Sequence, residues 1–212
     1  MDRRALRKLL EDGAEKYQAA AELVAAHLRH LLWRIRLLDP MVVPTRVSAR
    51  AKTLKSALRK LKRHPRSGSI RTRRAIEACL DDLAGVRVVC DYLSDVEAIR
   101  GYLHEHPAFK VIHSKTKDYI VKPNKGYRGI HLVVRIVTSF GWIKCEVQVR
   151  TTLQHAWAEK THDLIYKLGK TDLERIPRQI RGLVEDQSNM LYDIDVSSLK
   201  IFRLIKKKGE KK

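Results

Sequence analysis

DYIVKPNKGYRGIH occupies residues 118–131, and CEVQVR follows one strand later at 145–150. Together with DDLAGVR at 81–87, these stretches decide the fold and the chemistry. In EVQVR, Glu146, Gln148 and Arg150 fall on one face of an alternating strand, and Val147 and Val149 on the other. A buried sheet takes the valines, which leaves the polar three as a ligand face. LAGVRVVCD (83–91) is a β-branched run that reads as a central strand, with Asp82 at its head. Pro123, Asn124 and Gly126 mark 115–128 as a loop presenting Tyr127. Two carboxylates on separate strands, a ring on a Gly-flanked loop and surrounding Arg and Lys suit a magnesium–nucleotide reaction.

Outward from this centre, residues 2–38 read as one long amphipathic helix stopped by Pro40, and 41–48 as a short strand. Residues 50–63 predict a basic helix and 64–69 a loop. A helix over 94–105 starts from Ser94 as N-cap, with Glu97 completing a capping box. A strand at 109–114 follows, then strands 130–137 and 142–150 joined through SFGW. Thr151 is expected to cap a helix over 152–167 that ends before Gly169. The last helical region, 171–205, is expected to break around Asp193–Ser198, and the tail KKKGEKK to be disordered. The fold class is α/β, or α+β-like: a mixed sheet flanked by helices, with long helices at both ends. The expected divisions are an N-terminal helix packing on the core (1–40), a core (41–170), a C-terminal helical region (171–205) and a basic tail (206–212).

At 212 residues the chain suits one well-buried domain. No run of about 18 apolar residues exists, and the charged N-terminus lacks a signal-peptide core, so a cytoplasmic protein without membrane contact is expected. Cys79, Cys90 and Cys145 have no C-x-x-C spacing, which argues against a disulfide framework or zinc site. The 44 Lys and Arg against 24 Asp and Glu give a net charge of +20, pointing to polyanionic partners. No acidic residue stands between Asp39 and Glu77.

The two carboxylates, Asp82 and Glu146, can hold Mg²⁺ with substrate phosphates completing the octahedron, or one can take a proton from an attacking hydroxyl. Arg50, Lys52 and Lys60 precede Asp82, and Arg87 lies five residues after it. Arg stacks on a base as well as carrying charge, and Lys supplies a point charge for phosphate. Each residue alone has a plainer reading: an Asp before a strand is usually a cap, and a Tyr after Gly usually packs a loop. Their joint order and spacing favour a site.

These motifs resemble the synthetase domain of the RelA/SpoT alarmone enzymes in its small single-domain form. The resemblance runs from about Arg46 to Lys167. It is carried by Arg50, Lys52, Ser56 and Lys60, by DLAGVRVV (82–89), KDYI (117–120), GYRGIH (126–131), EVQVRT (146–151) and HAWAE…YK (155–167). It implies the nucleotidyltransferase-like fold of that family and transfer of the β,γ-pyrophosphate of ATP to a ribose 3′-hydroxyl. By the same resemblance, Asp82 would bind Mg²⁺, and Glu146 would align the metal or accept the 3′-OH proton. Arg50 and Arg87 would sandwich adenine, and Lys52, Ser56 and Lys60 would hold the ATP phosphates. Tyr127 would stack on the acceptor base and His131 would line the acceptor side, with Lys125, Gln148 and Arg150 supporting it.

Two departures from the family pattern fall near the acceptor. Lys125, not Asn, precedes Gly126, and Gly129 stands where Ser is common. The first acceptor expected is GDP or GTP, giving ppGpp or pppGpp, the nucleotides of the stringent response. The alternative is the 3′ end of tRNA, as in toxin members held by an antitoxin. Lys62, Arg63, Arg66, Arg71, Arg73 and Arg74 exceed what ATP needs and suit an RNA backbone. A third reading, a catalytically silent nucleotide- or RNA-binding module, would need loss of Asp82, Glu146 or Tyr127, and all three are present. A homo-oligomer is a further expectation of the resemblance. The pair His162–Asp163 reads as ordinary helix surface rather than a metal site, which would need further ligands.

Overall fold

The computed structural model describes residues 7–8, 10–38, 46–64, 70, 72–167 and 177–209. Its helices are α1 (Ala14–Leu38), α2 (Leu54–Arg63), α3 (Arg73–Cys79), α4 (Leu93–Glu105), α5 (Thr152–Lys167) and α6 (Arg178–Gly209). Its strands are β1 (Arg46–Ala51), β2 (Ala84–Cys90), β3 (Lys110–Val111), β4 (Lys117–Asp118), β5 (Ile130–Thr138) and β6 (Gly141–Thr151). The sheet order is β1-β2-β6-β5-β3, and β4 also pairs with β5. β3 and β4 both run antiparallel to β5, with Lys110 opposite Arg135 and Lys117 opposite His131. The expected sheet with flanking helices is present. Among the described residues no helix is long and apolar enough to cross a membrane.

The chain forms two compact units that alternate along the sequence. The first comprises Met1–Val88, Gly101–Thr116 and Leu132–Gln148, and the second Val89–Arg100, Lys117–His131 and Val149–Lys212. In the first, α1 packs on β1 and buries Tyr17, Ala21, Val24 and Leu28. Leu61 of α2, Ile76 of α3 and the inward residues of β2 and β6, among them Val86, Val88, Cys145 and Val147, complete its core. In the second, α5 packs on α6, and Ile130, Trp157 and Val184 are buried. Cys90 and Cys145 are buried free thiols, pushed far above their ordinary range by burial and neighbouring carboxylates.

Several boundaries differ from the sequence reading. The helix expected over 2–38 is interrupted by a turn at Asp12–Gly13, where glycine disfavours helix. Residues 50–63 are not all helical: the alternating strand β1 takes Arg50, and α2 starts at Leu54 because Thr53 caps it, accepting a hydrogen bond from the Ser56 amide at 3.3 Å. Ser94 does not cap α4, which starts at Leu93. Asp95 reaches back instead and accepts from the Tyr92 amide at 3.0 Å, so the reciprocal half of the box falls two residues before Glu97. The strand expected at 109–114 is only Lys110–Val111, because a 3-10 turn over His113–Lys115 cuts it short. α6 runs unbroken through Asp193–Ser198 and continues to Gly209, including Lys206–Lys208 of the expected disordered tail. Three cations in its last turn suit the negative end of the helix dipole. α5 spans Thr152–Lys167 as expected, while residues 168–176 and most of the 64–69 loop lie outside the described residues.

Buried polar contacts explain why α6 stays whole. Thr151 caps α5 as expected, with reciprocal bonds between Thr151 and Gln154 of 3.0 and 3.2 Å. The Thr151 hydroxyl also donates to Asp195 Oδ2 at 2.6 Å. Asp195 is 3% exposed, and burial lifts its carboxyl to about 6, the Thr151 hydrogen bond opposing this only in part.

The loop 119–129 is organised by a two-residue turn. Asn124 and Tyr127 exchange backbone hydrogen bonds of 3.1 and 3.0 Å, with Lys125 at φ 53° and Gly126 at φ 80° between them. Both central residues are left-handed, the signature of a type I′ turn. α6 clamps this turn: the Ser188 hydroxyl donates to the Gly126 carbonyl. Trp157 packs beneath it, its indole N–H donating to the Val184 carbonyl at 3.1 Å.

Two outcomes follow from these contacts. A carboxyl whose folded pKa is raised favours the folded chain while protonated; that stability is lost as pH rises from about 4 through about 6. The gap in melting temperature between Asp195→Asn and wild type should therefore widen in favour of Asn from pH 4 to pH 7. A gap that stays flat with pH would remove Asp195 from this role. At Gly126, an added Cβ would lie 2.9 Å from the Trp157 ring, at a φ that L side chains avoid. Gly126→Ala should cost about 1–3 kcal/mol in denaturant unfolding, and an unchanged midpoint would mean that the turn is not clamped.

Candidate active site

The first unit gathers most of the expected donor-side residues. Arg50 of β1, Asp82, Arg87 of β2, and Glu146 and Gln148 of β6 line one cleft with Ser48, Gly85 and Val86. Strand order brings them together, since β2 lies between β1 and β6. A Cβ on Gly85 would sit 3.7 Å from the Arg50 carbonyl and 3.9 Å from the Glu146 carbonyl, so glycine keeps the floor of the cleft low between those residues. Lys52 follows β1, its amide donating to the Leu83 carbonyl at 2.8 Å, which sets its side chain beside Asp82.

Asp82 is the electrostatic centre. Lys52 Nζ donates to Asp82 Oδ2 at 2.6 Å, and Lys60 Nζ lies 3.1 Å from Oδ1. Burial alone would raise this carboxyl; the Lys52 hydrogen bond and the charges of Lys60 and Lys52 outweigh it and hold the group below its ordinary range. Asp82 is therefore ionised at neutral pH. Its Oδ1 is buried and receives no well-aligned hydrogen bond among the described residues. Glu146 accepts from Gln148 Nε2 at 2.7 Å, which orients its carboxylate across one pleat of β6. Gln148, assigned to the acceptor side by the sequence reading, thus sits in this cleft.

Ser56 stands apart from these contacts. Its hydroxyl accepts from Arg59 at 3.3 Å in the first turn of α2, and it is not among the residues lining the cleft. Two hard carboxylates face this cleft and one Asp82 oxygen lacks a well-aligned partner among the described residues, a donor set chemically compatible with Mg²⁺. No group of three or more His, Cys, Asp or Glu among the described residues could hold a metal, so phosphate oxygens would have to complete the coordination. His162 and Asp163 are largely exposed, with 3.8 Å between ring nitrogen and carboxylate.

The second unit gathers the aromatic group. The Tyr127 hydroxyl lies 2.6 Å from His131 Nε2 and accepts from Arg150 Nε at 2.9 Å. Arg150 is only 6% exposed, and its guanidinium lies 4.8 Å from the centre of the Tyr127 ring. Tyr119 completes an edge-to-face triangle with Tyr127 and His131, with centroids 5.3–5.5 Å apart. Tyr119 belongs to the KDYI motif, yet sequence reasoning gave it no role. Arg128 was also passed over: it donates to the Ile120 carbonyl and to Asn189 Oδ1, both at 2.8 Å, and stacks on Tyr192.

Both departures from the family pattern have a backbone basis. Lys125 fills a left-handed position that Asn tolerates better, at a cost of about 1 kcal/mol. Gly129 has φ 149°, and a Cβ there would lie 3.0 Å from Arg150 Cγ and 3.2 Å from the Tyr127 hydroxyl. A serine at this position would push on the pair that fixes Tyr127. Of the basic residues assigned to RNA, Lys62 and Arg74 are exposed and Arg73 is half-buried. Arg66, Arg71 and the side chain of Arg63 lie outside the described residues.

Comparison with known proteins finds similar sequences and folds. GTP pyrophosphokinase YwaC of Bacillus subtilis (strain 168) is 29% identical over 158 residues, covering 72% of this chain and 71% of that protein. GTP pyrophosphokinase YjbM of the same organism is 29% identical over 116 residues, 52% of this chain and 54% of its own length. Among solved structures, small alarmone synthetase 1 of Bacillus subtilis bound to its product pppGpp superposes with a TM-score of 0.76 at 25% identity, over 94% of this chain and 99% of that one. Small alarmone synthetase 2 of Bacillus subtilis shares the fold, with a TM-score of 0.72 at 24% identity over 91% and 97% of the two chains. Residues 49–171 match the model described as the region found in RelA / SpoT proteins, so the chain belongs to that family.

Proposed function

We propose that the protein is an ATP-dependent pyrophosphokinase that transfers the β,γ-pyrophosphate of ATP to the ribose 3′-hydroxyl of GDP or GTP, making ppGpp or pppGpp. The observation that carries this reading is the cleft shared by Arg50, Asp82, Arg87, Glu146 and Gln148. Relatives named as GTP pyrophosphokinases and a like-folded synthetase bound to pppGpp support it. Those names give no support to the 3′ end of tRNA as acceptor.

Arg50 and Arg87 hold adenine between planar guanidinium groups. Lys52 and Lys60, which neutralise Asp82 in the free protein, transfer their contacts to the triphosphate. Asp82 and Glu146 would then hold Mg²⁺, which supplies charge neutralisation for the transferred group. Glu146, kept in place by Gln148, accepts the proton of the attacking 3′-hydroxyl. The acceptor base stacks on the Tyr127 ring, which Arg150 and His131 hold by its hydroxyl. Such a site does little covalent work; it positions two nucleotides and screens their charge. The exposed apolar side chains of α6, including Leu183, Met190, Ile194 and Leu204, suit a homo-oligomer.

The test incubates the protein with ATP labelled on the γ-phosphate, Mg²⁺, and GDP, GTP or deacylated tRNA in parallel. Label should move to the guanine nucleotides. Label on tRNA alone would replace the acceptor, and no transfer to any acceptor would overturn the proposal. Glu146→Gln should lower turnover about 10²–10⁴-fold while ATP binding persists, and an active Gln variant would remove the proton-accepting role. Tyr127→Ala should raise the acceptor KM about 10–100-fold and leave the KM for ATP nearly unchanged; equal effects on both would count against stacking.

A further inference from the structure

A second cavity in the first unit, of about 410 Å³, has no part in the chemistry above. Its polar wall is formed by Arg74 of α3, Arg135 of β5, Lys144 of β6 and Lys115, and Tyr17 and Trp142 contribute aromatic surface. Leu80, Leu83 and Ile143 supply an apolar floor. From this structure, we propose that this cavity is a separate nucleotide-binding site, taking a nucleoside di- or triphosphate with phosphates among the four cations and the base against Trp142.

The charge balance argues for an anion. Lys115 and Lys144 both donate to one oxygen of Asp81, each at 2.6 Å. One carboxylate thus serves two ammonium groups. Glu77, the acidic residue that lines the cavity, is engaged by Lys16 and by the Tyr17 hydroxyl at 2.9 Å. Neither Arg74 nor Arg135 makes an ion pair among the described residues, and both are exposed. The wall therefore carries cationic charge beyond its internal partners, with side chains free to turn toward phosphate.

Size and surface narrow the ligand class. The volume lies within the range of small-molecule sites and is too small for folded RNA. Trp142 is 48% exposed, with Lys110 Nζ 4.4 Å from its ring centre, so the ring already supports a cation and offers a stacking surface. Lys144 and Glu146 are two residues apart on β6, which puts the cavity wall and the catalytic cleft on one strand face, about 7 Å apart. The site stands or falls separately from the choice of acceptor.

Tryptophan fluorescence tests the proposal on the whole chain. GTP is titrated into wild type, and Trp142→Phe identifies the part of the signal that comes from this ring. Arg74→Ala and Arg135→Ala, both at exposed positions, are titrated alongside, with circular dichroism checking that they fold. Saturable, Trp142-dependent quenching that weakens about tenfold or more in each Arg variant, and is reversed by inorganic triphosphate, is the expected result. No Trp142-dependent signal with GTP, or unchanged affinity in both variants, would overturn it. Equal binding of guanosine and GTP would also overturn it, because phosphate recognition is its basis.

Discussion

The two-residue repeat of β6 is the constraint on which the rest of the protein depends. Ile143, Cys145, Val147 and Val149 are buried on one face. That burial fixes the register, because a slip of one residue would expose all four. The opposite face then has no freedom: Lys144, Glu146, Gln148 and Arg150 must follow at regular spacing. Each has a different task, respectively an Asp81 ion pair, a candidate catalytic carboxylate, its orienting amide and the clamp on Tyr127. Hydrophobic packing on one side thus sets the order of polar groups on the other.

A second theme is that acidic groups are embedded in basic ones. Asp81 and Asp82 are adjacent carboxylates, and each is held by two lysines. Partial burial weakens solvent screening, so these pairs matter more than ion pairs on an open surface. They also keep both aspartates ionised, as the lowered carboxyl pKa values indicate. Part of the large positive charge of the chain is consumed in this local balance.

Much of this was legible before any coordinates. The alternation in EVQVR fixed which side chains share a face, and the Gly-flanked Tyr127 marked its loop. Arg50, Asp82, Arg87 and Glu146 do converge, because the strands that carry them are neighbours in the sheet. Other features were out of reach for physical reasons. α6 contains a stretch that reads as a break, yet the helix runs through it, and Asp195 within that stretch is buried against Thr151, 44 positions away in sequence. Glu97 looked like the capping partner, but local geometry chose Asp95. The hydrogen bond from Gln148 to Glu146 also joins side chains two positions apart that the motif alone does not pair. The Lys115–Asp81–Lys144 cluster joins three separate segments, and no single motif announces it.

The clamp of α6 on the loop has a consequence for how the protein comes into being. Ser188, Asn189 and Tyr192 hold Gly126 and Arg128 from more than sixty positions downstream. During vectorial synthesis the ring of Tyr127 leaves the ribosome long before the helix that steadies it. A nascent chain lacking α6 carries Asp82 and Glu146 but lacks the contacts that steady the Tyr127 loop. The fold thereby postpones the ordering of this loop until translation of the clamp is complete.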